Sequence, residues 1–175
     1  MNPGPAQDPA AAGHTARDRD SAGRARNARP RDALGRPLPR GAPGDERIPD
    51  DLLLAPAEAL SLAQNLLDAG RPFHAHEVLE ASWKAAPAAE RDLWQGLAQI
   101  AVGLTHARRG NAHGASALLR RGGQRVSGYT GTAPHGIDAA AISAAASELA
   151  TRIDTEGLAA IETDLLTVRM APGGR

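Results

Sequence analysis

The chain of 175 residues has no cysteine. It therefore has no disulfide framework, no thiolate metal site and no cysteine nucleophile, and its fold must rest on apolar packing alone, which suits a reducing cytoplasm. It also has no net charge, with 20 basic and 20 acidic residues. Without the concentrated basic face of a nucleic-acid binder, nucleic acid is not an expected partner. The opening residues are Pro, Gly, Ala and Asp instead of a basic stretch followed by an apolar run, so a secretory signal is not expected. Long hydrophobic runs are missing too. The longest charge-free stretch, residues 93–107, is interrupted by Gln95, Gln99 and His106, and it falls short of the roughly 20 apolar residues that span a bilayer. It reads as a buried helix, and a membrane is not an expected partner. Strand-like alternation, hairpin turns, a Gly-rich phosphate loop after a strand and a nucleophile elbow around any serine are all absent from the sequence.

What is present divides unevenly. Residues 1–47 hold nine arginines against six acids, no aromatic residue and few aliphatic ones beyond Leu34 and Leu38. A segment of Pro, Gly and Arg buries too little apolar surface to offset its ordering entropy, so residues 1–47 are expected to form a disordered tail. Its arginines alternate with Asp18, Asp20, Asp32, Asp45 and Glu46, which favours a solvated tail over an RNA-binding one. Residues 48–170 then make a single domain of ordinary size, with residues 171–175 a disordered C-terminus.

Helical punctuation begins at Pro56, tolerated in a first turn, and Leu60, Ala63, Leu66 and Leu67 follow at a 3.6 period until Gly70. Pro72 opens a second helix with Phe73, Ala75, Val78, Leu79 and Trp83 as its apolar surface, stopped by Ala86 and Pro87. The third runs from near Pro87, with Glu90 and Asp92 early, to Arg108, Arg109 and Gly110. Asn111 caps a fourth, carrying Ala115, Leu118, Leu119 and Val126 inward, in which Gly122 and Gly123 predict fraying or a kink. Residues 137–153 form a fifth around Ile142, Leu149 and Ile153, and a short last helix is expected over residues 158–168. The expected fold is all-α, a compact bundle of about five antiparallel helices stacked as hairpins in a tetratricopeptide-like manner.

At 100° per residue, one side of the second helix carries Phe73, His76, Leu79, Glu80 and Trp83, with Glu77 and Lys84 pointing away. On the third helix the core stripe is Leu93, Leu97, Ile100 and Leu104, and a second stripe holds Gln95, Gln99, Val102 and His106. A helix this poor in charge is covered on most sides, so Gln95, Gln99 and His106 need internal partners, and His76, Glu80 and the Trp83 indole are the natural suppliers. His74 falls on the outward side, while His14, His113 and His135 carry no partner signal. Arg108 and Arg109 are expected to serve the helix C-terminus, and Arg120, Arg121 and Arg125 a solvated face.

The segments GRPFHAHEVLEASW and ERDLWQGLAQIAVGLTHARRGNAHGA resemble the uncharacterised bacterial and archaeal family catalogued as domain of unknown function number 309. The resemblance covers about residues 60–119, and its signature of His, three residues, Glu, two residues and Trp falls here on His76, Glu80 and Trp83. It implies a compact helical fold and suggests that His76 and Glu80 bind a metal.

Physically, an imidazole and a carboxylate at i, i+4 can converge on one ion. A divalent metal is thus the one cofactor the pattern suggests. A zinc site wants three or four ligands, however, and only His106 stands out as a further one. Three readings stay open: a structural hydrogen-bond network that locks the second and third helices, a metal site, and a metal-free acid/base or binding site. The matching functions are a metal-binding protein or metal-assisted enzyme, and a non-catalytic interaction module whose groove takes a peptide or a second copy of the chain.

Overall fold

A computed structural model describes residues 29–45, 48–49, 52–132 and 134–170. The expected disorder of residues 1–28, 46–47 and 171–175 lies outside the described residues, as does His14. Among the described residues five α-helices follow one another: α1 (Pro56–Asp68), α2 (Pro72–Ala85), α3 (Arg91–Arg108), α4 (Ala112–Ser127) and α5 (Ala139–Glu156). Among the described residues the only β-type pairing is one isolated bridge between Arg31 and Pro37. Local chemistry explains the helix ends. Glu58 reaches back to accept from the Ala55 N–H at 3.1 Å, and Gly70 leaves α1 at φ 72°, a backbone region glycine enters without steric cost. Asn111 and Asp138 accept from the third N–H of α4 and α5, at 2.9 Å in each case.

Each helix packs chiefly on its neighbours in sequence. The connections from α1 to α2 and from α3 to α4 are too short to return to the starting end, so these pairs are antiparallel hairpins. Helix α3 lies between α2 and α4, which is why Leu93, Leu97, Ile100 and Leu104 are all fully buried. The bundle is compact and all-α, as the punctuation predicts.

Three expectations are corrected. Helix α4 runs unbroken through Gly122 and Gly123 to Ser127, because those glycines meet neighbouring helices. A Cβ on Gly122 would stand 2.6 Å from the Gly96 carbonyl oxygen and 2.7 Å from Ile100. In place of a last helix, two 3-10 turns, Leu158–Ala160 and Thr163–Leu165, lead into an irregular end. That end is tied to α1 and α3 by side chains: Gln64 accepts from the Met170 N–H at 2.7 Å, and Arg108 donates to the Thr163 carbonyl at 3.2 Å. Residues 29–45, assigned by composition to the tail, are laid against the domain. Asp32 closes a turn by accepting from the Leu34 and Arg36 N–H groups, and Gly35 is buried.

Candidate functional site

Helix α2 aligns the central pair as its i, i+4 spacing dictates. His76 Nε2 lies 3.3 Å from Glu80 Oε2, with the side chains about one-quarter and one-third exposed (24% and 34%). The other carboxylate oxygen, Oε1, meets Lys84 Nζ at 2.8 Å. Lys84 therefore does not point away from the site, as the helical wheel suggested; its long stem lets the ammonium swing back to a carboxylate one turn earlier. Burial lowers the His76 pKa from its ordinary 6.5, against the pull of Glu80 and with help from Lys84. The imidazole is consequently favoured in its neutral form.

The remaining predicted members do not join this pair. His106 Nδ1 is bonded to Asn111 Nδ2 at 2.7 Å, at the α3 to α4 turn. Burial and the neighbouring Arg109 charge lower its pKa. Trp83 is half-buried against the hydrophobic core. Among the described residues no hydrogen bond links its indole, Gln95 or Gln99 to His76 or Glu80, and Gln99 Oε1 is buried with no hydrogen-bond partner. No group of three His, Asp or Glu side chains placed to hold a metal occurs among the described residues.

His74, expected on the surface, is buried at 2% exposure. The wheel misplaced it because residues 29–45 cover that side of α2. Asp45 Oδ2 lies 3.9 Å from His74 Nε2 and accepts from Arg71 at 2.9 Å. Gly35 sits so close to Phe73 that a Cβ there would be 2.2 Å from the ring, and the Arg31 guanidinium lies 5.7 Å from the centroid of the same ring. Phe73 in turn touches His76, with ring centroids 6.1 Å apart. The Leu34 carbonyl accepts two guanidinium N–H groups of Arg109. Arg108 and Arg109 thus hold distant backbone carbonyls instead of serving the end of α3. Arg120 and Arg125 are neutralised by Asp154 and Asp92, at 2.6 Å each, so these arginines do not form a free cationic patch.

Sequence reasoning missed a second polar cluster. His135 Nε2 lies 2.7 Å from Glu90 Oε2, the Trp94 indole N–H donates to the same oxygen at 3.2 Å, and the two rings are 5.8 Å apart. The hydrogen bond from His135 is the leading cause of a lowered Glu90 pKa. His135 adopts φ 57°, the left-handed region, a costly conformation for a residue with a Cβ unless its surroundings hold it. His135 and Glu90 lie 45 positions apart in the chain, so no local pattern in the sequence pairs them.

In the described residues no helix is long and apolar enough to cross a membrane. No curated protein and no solved structure matches the chain. A family model described as Domain of unknown function (DUF309) matches residues 60–118. The matched stretch starts inside α1, ends inside α4 and takes in His76, Glu80 and Trp83, so the central helices of the chain are similar to that family.

Proposed function

We propose that the domain is a non-catalytic helical interaction module, in which His76, Glu80 and Lys84 form a structural polar ladder along α2 and the adjoining surface docks a turn-forming peptide. The observation that carries this reading is that both Glu80 oxygens are engaged within α2, by His76 and by Lys84. A metal held between His76 Nε2 and Glu80 Oε2 would find two protein ligands among the described residues where a zinc centre needs at least three. The His76 and Glu80 side chains of the family motif are thus paired with each other. Support for docking comes from residues 29–45, which fold back on themselves and lie against the start of α2 and the end of α3.

The test is a calorimetric titration of untagged full-length protein with zinc and with manganese, alongside His76→Ala. No stoichiometric uptake by either protein, together with a lower Tm for His76→Ala, is the expected outcome. One equivalent of metal bound by the natural chain and lost in His76→Ala would overturn the reading in favour of a metal site.

A further inference from the structure

Residues 30–45 have the composition of a solvated tail, yet they are folded and held at several separate points. The segment closes on itself: the Leu38 N–H donates to the Pro30 carbonyl and the Asp45 N–H to the Arg31 carbonyl, both at 2.8 Å. Its attachments to the helices are of the kind used to bind peptides. A backbone carbonyl, that of Leu34, is captured by the fork of Arg109. A carboxylate, that of Asp45, is bonded by Arg71. A glycine is laid flat on the Phe73 ring where any side chain would collide, and an arginine covers the same ring. These contacts come from the start of α2 and the end of α3, brought together by the fold. Apart from Phe73 they are polar or charged. Exposed polar contacts stabilise by small amounts, so the attachment is reversible on the scale of local opening.

We propose that residues 30–45 are an intramolecular ligand of the surface built by Arg71, Phe73 and Arg109, and that this surface selects a peptide folded back on itself through turns, with a glycine opposite Phe73, an arginine four residues before it and a carboxylate ten residues after it. The inference rests on the interaction-module reading and gives it a ligand and a regulation: while the chain's own segment is seated, the surface is closed to a competing peptide of the same pattern. Selectivity for glycine has two sources. Gly35 has φ 73°, which disfavours a side chain wherever it stands, and in addition its missing Cβ is where the Phe73 ring lies.

Two variants of the full-length chain separate those sources. Gly41 lies in the same segment at φ 81°, but a Cβ there meets nothing within 4 Å. Gly41→Ala therefore carries the backbone cost alone, whereas Gly35→Ala adds the collision. Hydrogen exchange of the Leu38 and Asp45 amides reads release of the segment. A fluorescein-labelled synthetic peptide of residues 29–45 reads occupancy of the surface by anisotropy. Exchange in Gly35→Ala is expected to exceed that in Gly41→Ala by about tenfold or more. The labelled peptide should bind the Gly35→Ala chain at least about tenfold more tightly than the natural chain, because the natural surface is already filled. A peptide carrying the same Gly35→Ala change should not bind.

Equal exchange in the two variants would overturn the proposal, and so would a released segment with no peptide binding. Exchange of the segment between copies, seen as a dimer in sedimentation, would overturn its intramolecular form. Arg109→Leu, which removes the carbonyl capture without touching the segment, is expected to reproduce the release and guards against misfolding of the glycine variant. Metal uptake lost in His76→Ala would instead sink the interaction-module reading while leaving these amides unchanged, so the two failures are distinguishable.

Discussion

At the scale of single residues, protons decide what the imidazoles contribute. The His76 and His106 pKa values are both lowered from 6.5, chiefly by burial. The folded state therefore favours their neutral forms, while the unfolded chain takes up protons as the pH falls through 6.5. The unfolded state then binds more protons, and stability is lost as the pH falls from about 6.5 toward the lower folded values. Urea midpoints should accordingly drop between about pH 7.5 and about pH 5.5, with a shallower drop in His76→Gln. An unchanged slope in that variant would mean that His76 does not carry the effect. His135 offers a different test, because its ring is held on Glu90 by a left-handed backbone. His135→Ala keeps the strained φ and loses the contact, and is expected to cost about 1–2 kcal/mol. His135→Gly removes the strain and should recover part of that loss; Tm values of the two variants decide the order.

The pairing of α3 with α4 is fixed by glycine at the scale of elements. A propensity argument favours alanine over glycine inside a helix by about 1 kcal/mol. At Gly122 that gain is outweighed, because a new Cβ would press on the Gly96 carbonyl at 2.6 Å and on Ile100 at 2.7 Å. Gly122→Ala is expected to lose about 1–3 kcal/mol through overpacking. Gly123→Ala meets Ala146 and the Ser143 carbonyl only at 3.3 Å, and should fall within about 0.5 kcal/mol of the natural chain, its tighter contact offset by propensity. Chemical denaturation that ranks the two alike would refute the close-approach account. The same glycines show where legibility ends. Prolines, Asn111 and the stripe from Leu93 to Leu104 act through neighbours a few positions away, so helix boundaries, core and the His76 to Glu80 pairing were all readable in the sequence. Gly122, His74 and His135 take their roles from segments far along the chain, and a periodicity carries no information about which distant segment will arrive. The sites of Gln95, Gln99 and His106 failed for a related reason: sharing a stripe fixes a direction from the helix axis and leaves the partner undetermined.

The bundle as a whole is closed by its C-terminal segment, although that segment is not an α-helix. Ile161, Leu166, Val168 and Met170 are all buried in the common core, yet after α5 the backbone has few regular hydrogen bonds to hold them there. Gln64, at 5% exposure in α1, supplies one across 106 residues by accepting from the Met170 N–H, while its own amide donates to Asp68 at 2.8 Å. Gln64→Leu conserves volume but leaves the buried Met170 N–H without that acceptor, a loss worth about 1–3 kcal/mol. If the clasp acts locally, the Met170 amide should exchange at least about tenfold faster in Gln64→Leu, whereas the Leu97 amide in the centre of α3 should quicken only by as much as global stability falls. Parallel acceleration of both amides would instead make Gln64 an ordinary member of the cooperative core, with no separate role in holding the chain end.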